Sequence, residues 1–164
     1  MPVNGKSKGS QFERTICVEL SKWITNGEKI DCLWRSAMSG GRATVSKGKV
    51  RQGGDITAVA PEGHILADKF YIECKSYNKL GLDCFIKGKG TLIDFWKIAQ
   101  KEADKYKKYP ALIFKQNNWP AVFVSSSEGC ALLKCHYLVF LESVDLDMCL
   151  IRFNDLLKIP FPLK

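Results

Sequence analysis

The sequence lacks the features that send a chain into a membrane or out of a cell. None of its apolar runs approaches the ~20 residues that a transmembrane helix requires. The first ten residues are polar and basic, unlike the start of a secretory signal peptide. We therefore expect a soluble cytoplasmic protein that has no membrane partner.

The sequence also lacks the paired cysteines of a disulfide framework. It has seven cysteines, an odd number, and they lie inside apolar runs. This usage predicts reduced, structural thiols. Cys130, Cys135 and His136 are close in sequence, but no CxxC pair accompanies them, so the indication of a zinc site is weak.

No internal repeat, linker or change in composition divides the 164 residues. This length suits one domain with a full hydrophobic core. We expect a single domain over residues 1–164, with a flexible basic arm at 1–9, a basic loop at 40–54 and a C-terminal elaboration at 130–164.

Positive charge is in excess: 25 Lys and Arg against 17 Asp and Glu give a net charge of +8 and an isoelectric point near 9.1. Such a balance favours polyanionic partners, of which nucleic acid is the commonest. No carboxylate lies between Asp31 and Asp55, where the chain is rich in glycine and basic residues. This segment suits contact with a phosphate backbone, although a solvated loop is the alternative. The basic residues of its loop 40–54 are Arg42, Lys47, Lys49 and Arg51.

The stretch 53–76 reads as two β-rich runs joined by a turn at 61–64. A hairpin symmetric about His64 would put Asp55 opposite Glu73. Because side chains alternate along a strand, Glu73 and Lys75 would share one face while Cys74 points away. Two adjacent carboxylates repel each other, and a divalent cation such as Mg²⁺ or Mn²⁺ would relieve that repulsion. Lys75 would then orient an attacking water, which predicts a metal-dependent phosphodiesterase.

The other segments predict helices alternating with strands around a mixed sheet, an α/β (α+β) fold. Glu13 lies at the margin of the buried stripe of the first helix. It either faces an active site or completes a capping box with Ser10, and both readings stay open. Helices are expected over residues 10–26 and 91–109, one helical turn over 154–158, and strands over 29–35, 111–115, 121–124, 131–142 and 148–153.

With Asp55 followed by Glu73-Cys74-Lys75, the chain resembles the PD-(D/E)xK nuclease superfamily. Two upstream segments are similar to archaeal-type Holliday-junction resolvases: KGSQFER at 8–14 resembles their K-G-x-x-x-E-R opening, and RSAMSG at 35–40 resembles their R-x-x-x-S-G loop. The resemblance covers roughly residues 6–116 and implies a restriction-endonuclease-like core. Gly54 departs from the pattern, because a proline usually precedes the strand Asp.

The resemblance implies a role for each matching residue. Glu13, Asp55 and Glu73 would bind Mg²⁺, or Mn²⁺ in its place, together with the backbone carbonyl of Cys74. Lys75 would orient the nucleophilic water, and Ser39 would lie on a loop that contacts the scissile backbone. Arg14 and Arg35 would contact phosphates. From their positive charge, and not from the resemblance, the further DNA-binding residues expected are Lys6, Lys8, Arg42, Lys47, Lys49, Arg51, Lys87 and Lys89.

The resemblance implies a Mg²⁺-dependent, structure-selective DNA endonuclease that resolves four-way Holliday junctions as a homodimer. Its products would carry 5′-phosphate and 3′-hydroxyl ends. Small phage-encoded nucleases of this superfamily share the size and basicity of this chain, which favours a phage origin and a location at the nucleoid in the host cytoplasm. Two alternatives stay open. One is the same chemistry on another DNA substrate, in restriction, repair or single-strand and flap cleavage. The other is a non-catalytic DNA-binding module.

Overall fold

The computed structural model describes residues 5–36, 53–81, 83–136, 139–143 and 146–163, with six helices and seven strands among them. The helices are α1 (Gly5–Ile24), α2 (Pro61–Ala67), α3 (Cys84–Lys87), α4 (Thr91–Tyr106), α5 (Ser127–Leu132) and α6 (Phe153–Leu156). The strands are β1 (Leu33–Arg35), β2 (Ile56–Ala58), β3 (Phe70–Tyr77), β4 (Tyr109–Gln116), β5 (Val122–Ser125), β6 (Val139–Ser143) and β7 (Leu146–Arg152).

Five of the strands form one sheet in the order β3-β4-β5-β7-β6. Strands β3 and β4 run parallel, and every other neighbouring pair in this sheet is antiparallel. Strands β1 and β2 form a separate antiparallel ribbon. A mixed sheet flanked by helices confirms the predicted α/β (α+β) class with a restriction-endonuclease-like core.

The two faces of the sheet are covered by different helices, as the alternation of side chains along a strand requires. Leu20 of α1 and Ile72 of β3 belong to the apolar core on one face. Trp96 of α4 packs with Leu112 and Phe114 of β4 on the other face. Burying side chains of this size contributes about 1.5–3 kcal/mol each, so both helices hold β3 and β4 firmly in place.

The predicted hairpin over 53–76 is wrong. Its expected turn is helix α2, and β2 pairs with β1 instead of β3, with Arg35 opposite Ile56. Pro61 opens α2 at a position where its missing N–H costs nothing, and Gly63, Leu66 and Ala67 are buried at helical spacing. That spacing was the signal which a β reading of this short apolar segment overlooked.

The first helix begins at Gly5, five residues before the predicted start, so the segment 1–9 is not wholly a flexible arm. Ser10 therefore lies inside the helix and does not cap it, which rules out the capping-box reading of Glu13. The added turn is held by tertiary contacts: the Lys8 ammonium donates hydrogen bonds to the side-chain oxygens of Asn78 and Asn117. A sequence pattern does not reveal such long-range bonds.

Towards the C-terminus, the predicted strands 111–115, 121–124 and 148–153 correspond to β4, β5 and β7. The predicted strand over 131–142 is wrong in its first part, because α5 covers 127–132 and β6 begins only at Val139. Ser126 caps α5 by accepting a hydrogen bond from the Gly129 N–H at 3.2 Å. Because β7 lies between β5 and β6, the C-terminal segment is part of the main sheet.

All seven cysteines are buried, and none of them forms a disulfide, as predicted. Cys135 Sγ donates to the Cys130 carbonyl at 3.4 Å, whereas His136 is exposed. Within the described ranges, no helix combines the length and the apolar character that crossing a membrane demands.

Candidate active site

Asp55 is docked against β3 by two hydrogen bonds. Its N–H donates to the Ile72 carbonyl at 2.8 Å, and its Oδ2 accepts from the Cys74 N–H, also at 2.8 Å. The residue is 6% exposed. Asp55 thus lies beside Glu73, as the sequence predicted. The two residues are not joined by the predicted hairpin, however, because Asp55 itself bonds to β3 while the strand that follows it, β2, pairs with β1.

The approach of Asp55 to β3 depends on Gly54. This glycine has a φ of +93°, and a Cβ added to it would lie 2.7 Å from the Ile72 carbonyl oxygen. Proline, whose φ is fixed near −65°, does not adopt this conformation. Glycine replaces the usual proline at this position because the backbone reaches Asp55 through a conformation with positive φ.

Glu73 and Lys75 lie two residues apart on β3 and form an ion pair through Oε1 and Nζ. Their side chains are 17% and 24% exposed. The Tyr71 hydroxyl donates to Glu73 Oε2 at 3.3 Å, and the Lys75 ammonium lies 5.4 Å from the centre of the Phe95 ring. The two charged groups are therefore partly buried, with Tyr71 contacting Glu73 and Phe95 contacting Lys75.

Burial and the charge of Glu73 raise the pKa of Asp55 from 3.8 to about 7, while the Cys74 N–H and the Lys75 charge oppose the rise. For Lys75, burial disfavours the charged form, but the neighbouring Glu73 and Asp55 outweigh it and raise the pKa. The site thus contains two competing carboxylates and a firmly protonated lysine.

Glu13 lies on α1 and is paired with Arg35 of β1, whose Nε is 2.9 Å from Glu13 Oε2. Its charge still contributes to the raised pKa of Asp55, so it belongs to the surroundings of the site. Within the part of the chain that the structure describes, no three His, Cys, Asp or Glu side chains are grouped so that they could hold a metal ion. A metal-binding role for Glu13 stays a prediction.

The predicted phosphate-contacting residues are dispersed. Lys8 lies near the far end of β3, and Arg14 is exposed on α1. Lys87 forms an ion pair with Asp83 at 2.5 Å, and Lys89 is exposed. Lys6 belongs to α1. The predicted contacts Ser39, Arg42, Lys47, Lys49 and Arg51 lie outside the described residues.

Sequence reasoning missed four residues around the site. Tyr71 precedes Glu73 by two positions, so the alternation of a strand was a usable signal for their contact. No such signal was present for the other three residues, because their contacts join distant parts of the chain. Phe95 lies near Lys75, and Asn78 and Asn117 accept hydrogen bonds from Lys8.

The chain matches, over residues 4–155, the model of a family described as "Phage putative PDDEXK endonuclease". No curated protein and no solved structure shows significant similarity to this chain. The match supports the superfamily and a phage origin, while the resemblance to junction resolvases stays a prediction. Because the match spans almost the whole chain, the protein belongs to this phage family of PD-(D/E)xK nucleases.

Proposed function

We propose that this protein is a divalent-metal-dependent DNA endonuclease whose active site contains Asp55, Glu73 and Lys75. The observation that carries the proposal is the docking of Asp55 on β3, beside Glu73 and Lys75. Burial and the neighbouring charge of Glu73 raise the pKa of Asp55 to about 7. Two carboxylates held in such unfavourable proximity suit a cation that neutralises both.

The donor set fits Mg²⁺, with Mn²⁺ as a substitute, because these ions prefer carboxylate and carbonyl oxygens. Asp55 and Glu73 would hold the ion, together with the backbone carbonyl of Cys74 and with Glu13 as a further carboxylate. When bound, the ion would supply Lewis-acid polarisation of the phosphate and would lower the pKa of a water molecule.

Lys75 has the position and the charge to act on the phosphate. Its ammonium, paired with Glu73 and placed near Phe95, would orient the attacking water and stabilise the negative charge that develops on the phosphate oxygens. The water oxygen attacks phosphorus and the bond to the 3′ oxygen breaks. This leaves a 5′-phosphate and a 3′-hydroxyl.

For the substrate, we propose a four-way DNA junction that is cleaved by a homodimer. The segments KGSQFER and RSAMSG support this choice through their similarity to junction resolvases. A symmetric dimer would present one active site to each of two strands, which is the arrangement that paired cleavage of a junction requires. Ser39, Arg14 and Arg35 would contact the scissile backbone.

The test compares cleavage of a mobile four-way junction, a fork, a duplex and a single strand in Mg²⁺. We expect symmetric paired nicks in the junction and a dimeric mass by light scattering. Asp55→Asn and Lys75→Ala should abolish cleavage and leave junction binding largely intact. Lys101→Ala, on the exposed face of α4, controls for the loss of one surface charge.

Each other result has a defined meaning. Wild-type-like cleavage by Asp55→Asn or Lys75→Ala would refute the proposed site. Preferential cleavage of the fork, duplex or single strand would keep the chemistry and replace the junction as substrate. DNA binding without any binding of Mg²⁺ or Mn²⁺ in a titration would instead identify a non-catalytic DNA-binding module.

A further inference from the structure

A groove of about 410 Å³ continues from the candidate active site along the edge of β3. One wall is the N-terminal part of α1 with Lys8 and Gly9, and the other is the C-terminal part of β3 and the residue after it, 74–78. Its lining includes two lysines, Lys8 and Lys75, and no carboxylate. A groove with this charge suits an anionic ligand.

The backbone of β3 also faces this groove. Along a strand, successive residues direct their N–H and C=O groups to opposite sides. The Tyr77 carbonyl accepts from the Asn117 N–H on the β4 side, whereas the Cys74 N–H donates to Asp55 on the opposite side. Ser76 therefore directs its N–H away from β4, towards the same side as Asp55, where it can donate to an anion.

Lys8 is held at the groove by neutral partners. Its ammonium donates to the side-chain oxygens of Asn78, at 3.0 Å, and of Asn117. Asn117 Nδ2 in turn donates to Asn78 Oδ1 at 3.0 Å, which ties the two amides together. An ammonium has three donors, so one remains for a ligand. Among the described residues Lys8 has no carboxylate partner within 4.0 Å, and its charge is not neutralised.

The length of the groove relates it to the reacting phosphate. A strand rises about 3.3 Å per residue, so Ser76 lies roughly 10 Å beyond Glu73. Consecutive phosphates of one DNA strand advance ~3.4 Å along the duplex axis. A strand whose scissile phosphate lies at Glu73 and Lys75 would therefore bring a phosphate from within about three nucleotides to Lys8.

We propose that this edge groove binds a phosphate of the substrate strand within about three nucleotides of the scissile one. Lys8 and the Ser76 N–H contact that phosphate, and Asn78 and Asn117 are positioning residues that hold the lysine. The proposal rests on the proposed nuclease function, because it defines the phosphate by its distance from the point of cleavage.

The experiment uses the full chain and fluorescein-labelled DNA of the preferred substrate, with the cleavage site mapped first. Each phosphate within six nucleotides of that site is replaced in turn by an uncharged methylphosphonate. Binding is measured in EDTA by fluorescence anisotropy for wild type, Lys8→Met, Asn117→Asp and the control Lys101→Met. Asn117→Asp has the shape of asparagine, and it would neutralise Lys8 with a carboxylate.

We expect one methylphosphonate, within three nucleotides of the cleavage site, to weaken wild-type binding roughly threefold to tenfold. The same replacement should have no effect on Lys8→Met or Asn117→Asp, and it should retain its full effect on Lys101→Met. A thermal melt of each variant checks its fold. If Lys8 only stabilised the fold, the methylphosphonate would weaken the binding of wild type and of Lys8→Met to the same extent, so the expected non-additivity indicates a direct contact.

Two results would overturn the proposal. In the first, every methylphosphonate weakens DNA binding equally in wild type and in Lys8→Met. In the second, the effects of Lys8→Met and a methylphosphonate are non-additive only when the replaced phosphate lies more than three nucleotides from the cleavage site. Either result, with cleavage by wild type intact, refutes the groove and leaves the nuclease function standing. If no Mg²⁺-dependent cleavage occurs, the proposed function fails instead. In that case the methylphosphonate scan is extended to every phosphate of the bound DNA, and it still shows whether Lys8 pairs with one phosphate.

Discussion

Asp55 Oδ2 accepts a hydrogen bond of 2.8 Å from the backbone N–H of Cys74, the residue between Glu73 and Lys75. This bond fixes the aspartate to the strand that carries the other two charged groups. Since the donor is a backbone group of strand β3, the carboxylate is positioned without a flexible side-chain partner. Such preorganisation is what a site needs if it holds charged groups in one geometry.

The raised pKa of Asp55 predicts how the stability of the metal-free protein depends on pH. The Asp55 carboxyl titrates near 3.8 when unperturbed and near 7 in the folded protein. Between these values the folded state binds more protons than the unfolded chain, so the free energy of unfolding falls as pH rises through this interval. We expect Asp55→Asn to remove this contribution, which is on the order of a few kcal/mol.

The measurement is chemical denaturation in EDTA at pH 5 and pH 8. Asp55→Asn should be more stable than wild type at pH 8, and its advantage should shrink at pH 5. Taking the difference between the two proteins cancels the titration of groups that they share. Added Mg²⁺ at pH 8 should stabilise wild type and not the variant. A pH-independent difference would contradict the raised pKa.

Alanine substitutions at two glycines distinguish the cost of backbone strain from the cost of a steric clash. Gly54 and Gly27 have φ values of +93° and +90°, but a Cβ on Gly54 would lie 2.7 Å from the Ile72 carbonyl, whereas one on Gly27 meets nothing within 4 Å. Alanine at either position is strained by about 1–3 kcal/mol. We expect Gly54→Ala to lower the melting temperature more than Gly27→Ala and to abolish cleavage.

For the glycine pair, single-turnover cleavage provides the second measurement. Gly27→Ala should cleave at the wild-type rate, because Gly27 follows α1 and lines a cleft with Trp23 and Phe161 to which none of the candidate site residues contributes. Full activity of Gly54→Ala would show that the site does not need the close approach of Gly54 to β3.

The ion pair between Glu13 and Arg35 is expected to stabilise the fold. Their side chains are 13% and 29% exposed, so Arg35→Met leaves an unpaired, mostly buried carboxylate near Asp55. We expect a loss of about 1–3 kcal/mol in the free energy of unfolding, most of which a second change, Glu13→Gln, restores. The control is Lys22→Met, next to Glu19 at 45% and 38% exposure, which should cost ~0.5 kcal/mol or less.

Denaturant unfolding of the four proteins of this cycle at pH 8 measures the coupling between Glu13 and Arg35. Additive effects would show that the two charges do not stabilise each other. Metal titration of Glu13→Gln separately tests whether this carboxylate contributes to Mg²⁺ binding.

Lys75 should not tolerate replacement by arginine. Its ammonium is partly buried between Glu73 and Phe95, and a planar guanidinium differs from it in size and in donor geometry. We expect Lys75→Arg to reduce the cleavage rate about 100-fold or more, by analogy with the loss of one charge-stabilising donor. Single-turnover kinetics measure this effect. Cleavage at the wild-type rate would show that any cation at this position suffices.

The sequence was informative wherever chemistry and short periodicity coincide. Asp55, Glu73 and Lys75 could be selected because carboxylates and a lysine in this order suggest one reaction class, and the alternation of β3 correctly put Glu73 and Lys75 together. The segments that became β4, β5 and β7 were recognised because they are apolar and bounded by turns. Helix α2 was missed, because in a segment of seven residues the helical spacing of Gly63, Leu66 and Ala67 is a weak signal beside the β propensity of the flanking runs.

By itself, the sequence determined the α/β class, the reduced cysteines and the residue types of the candidate site. The tertiary structure alone decided how Asp55 reaches Glu73, that Glu13 pairs with Arg35, and that Lys8 lies at the edge of β3 between two asparagines. The physical reason is the range of the interactions. Propensity and side-chain alternation act between neighbours, whereas the bonds of Asp55, Glu13 and Lys8 join residues from 19 to 109 positions apart.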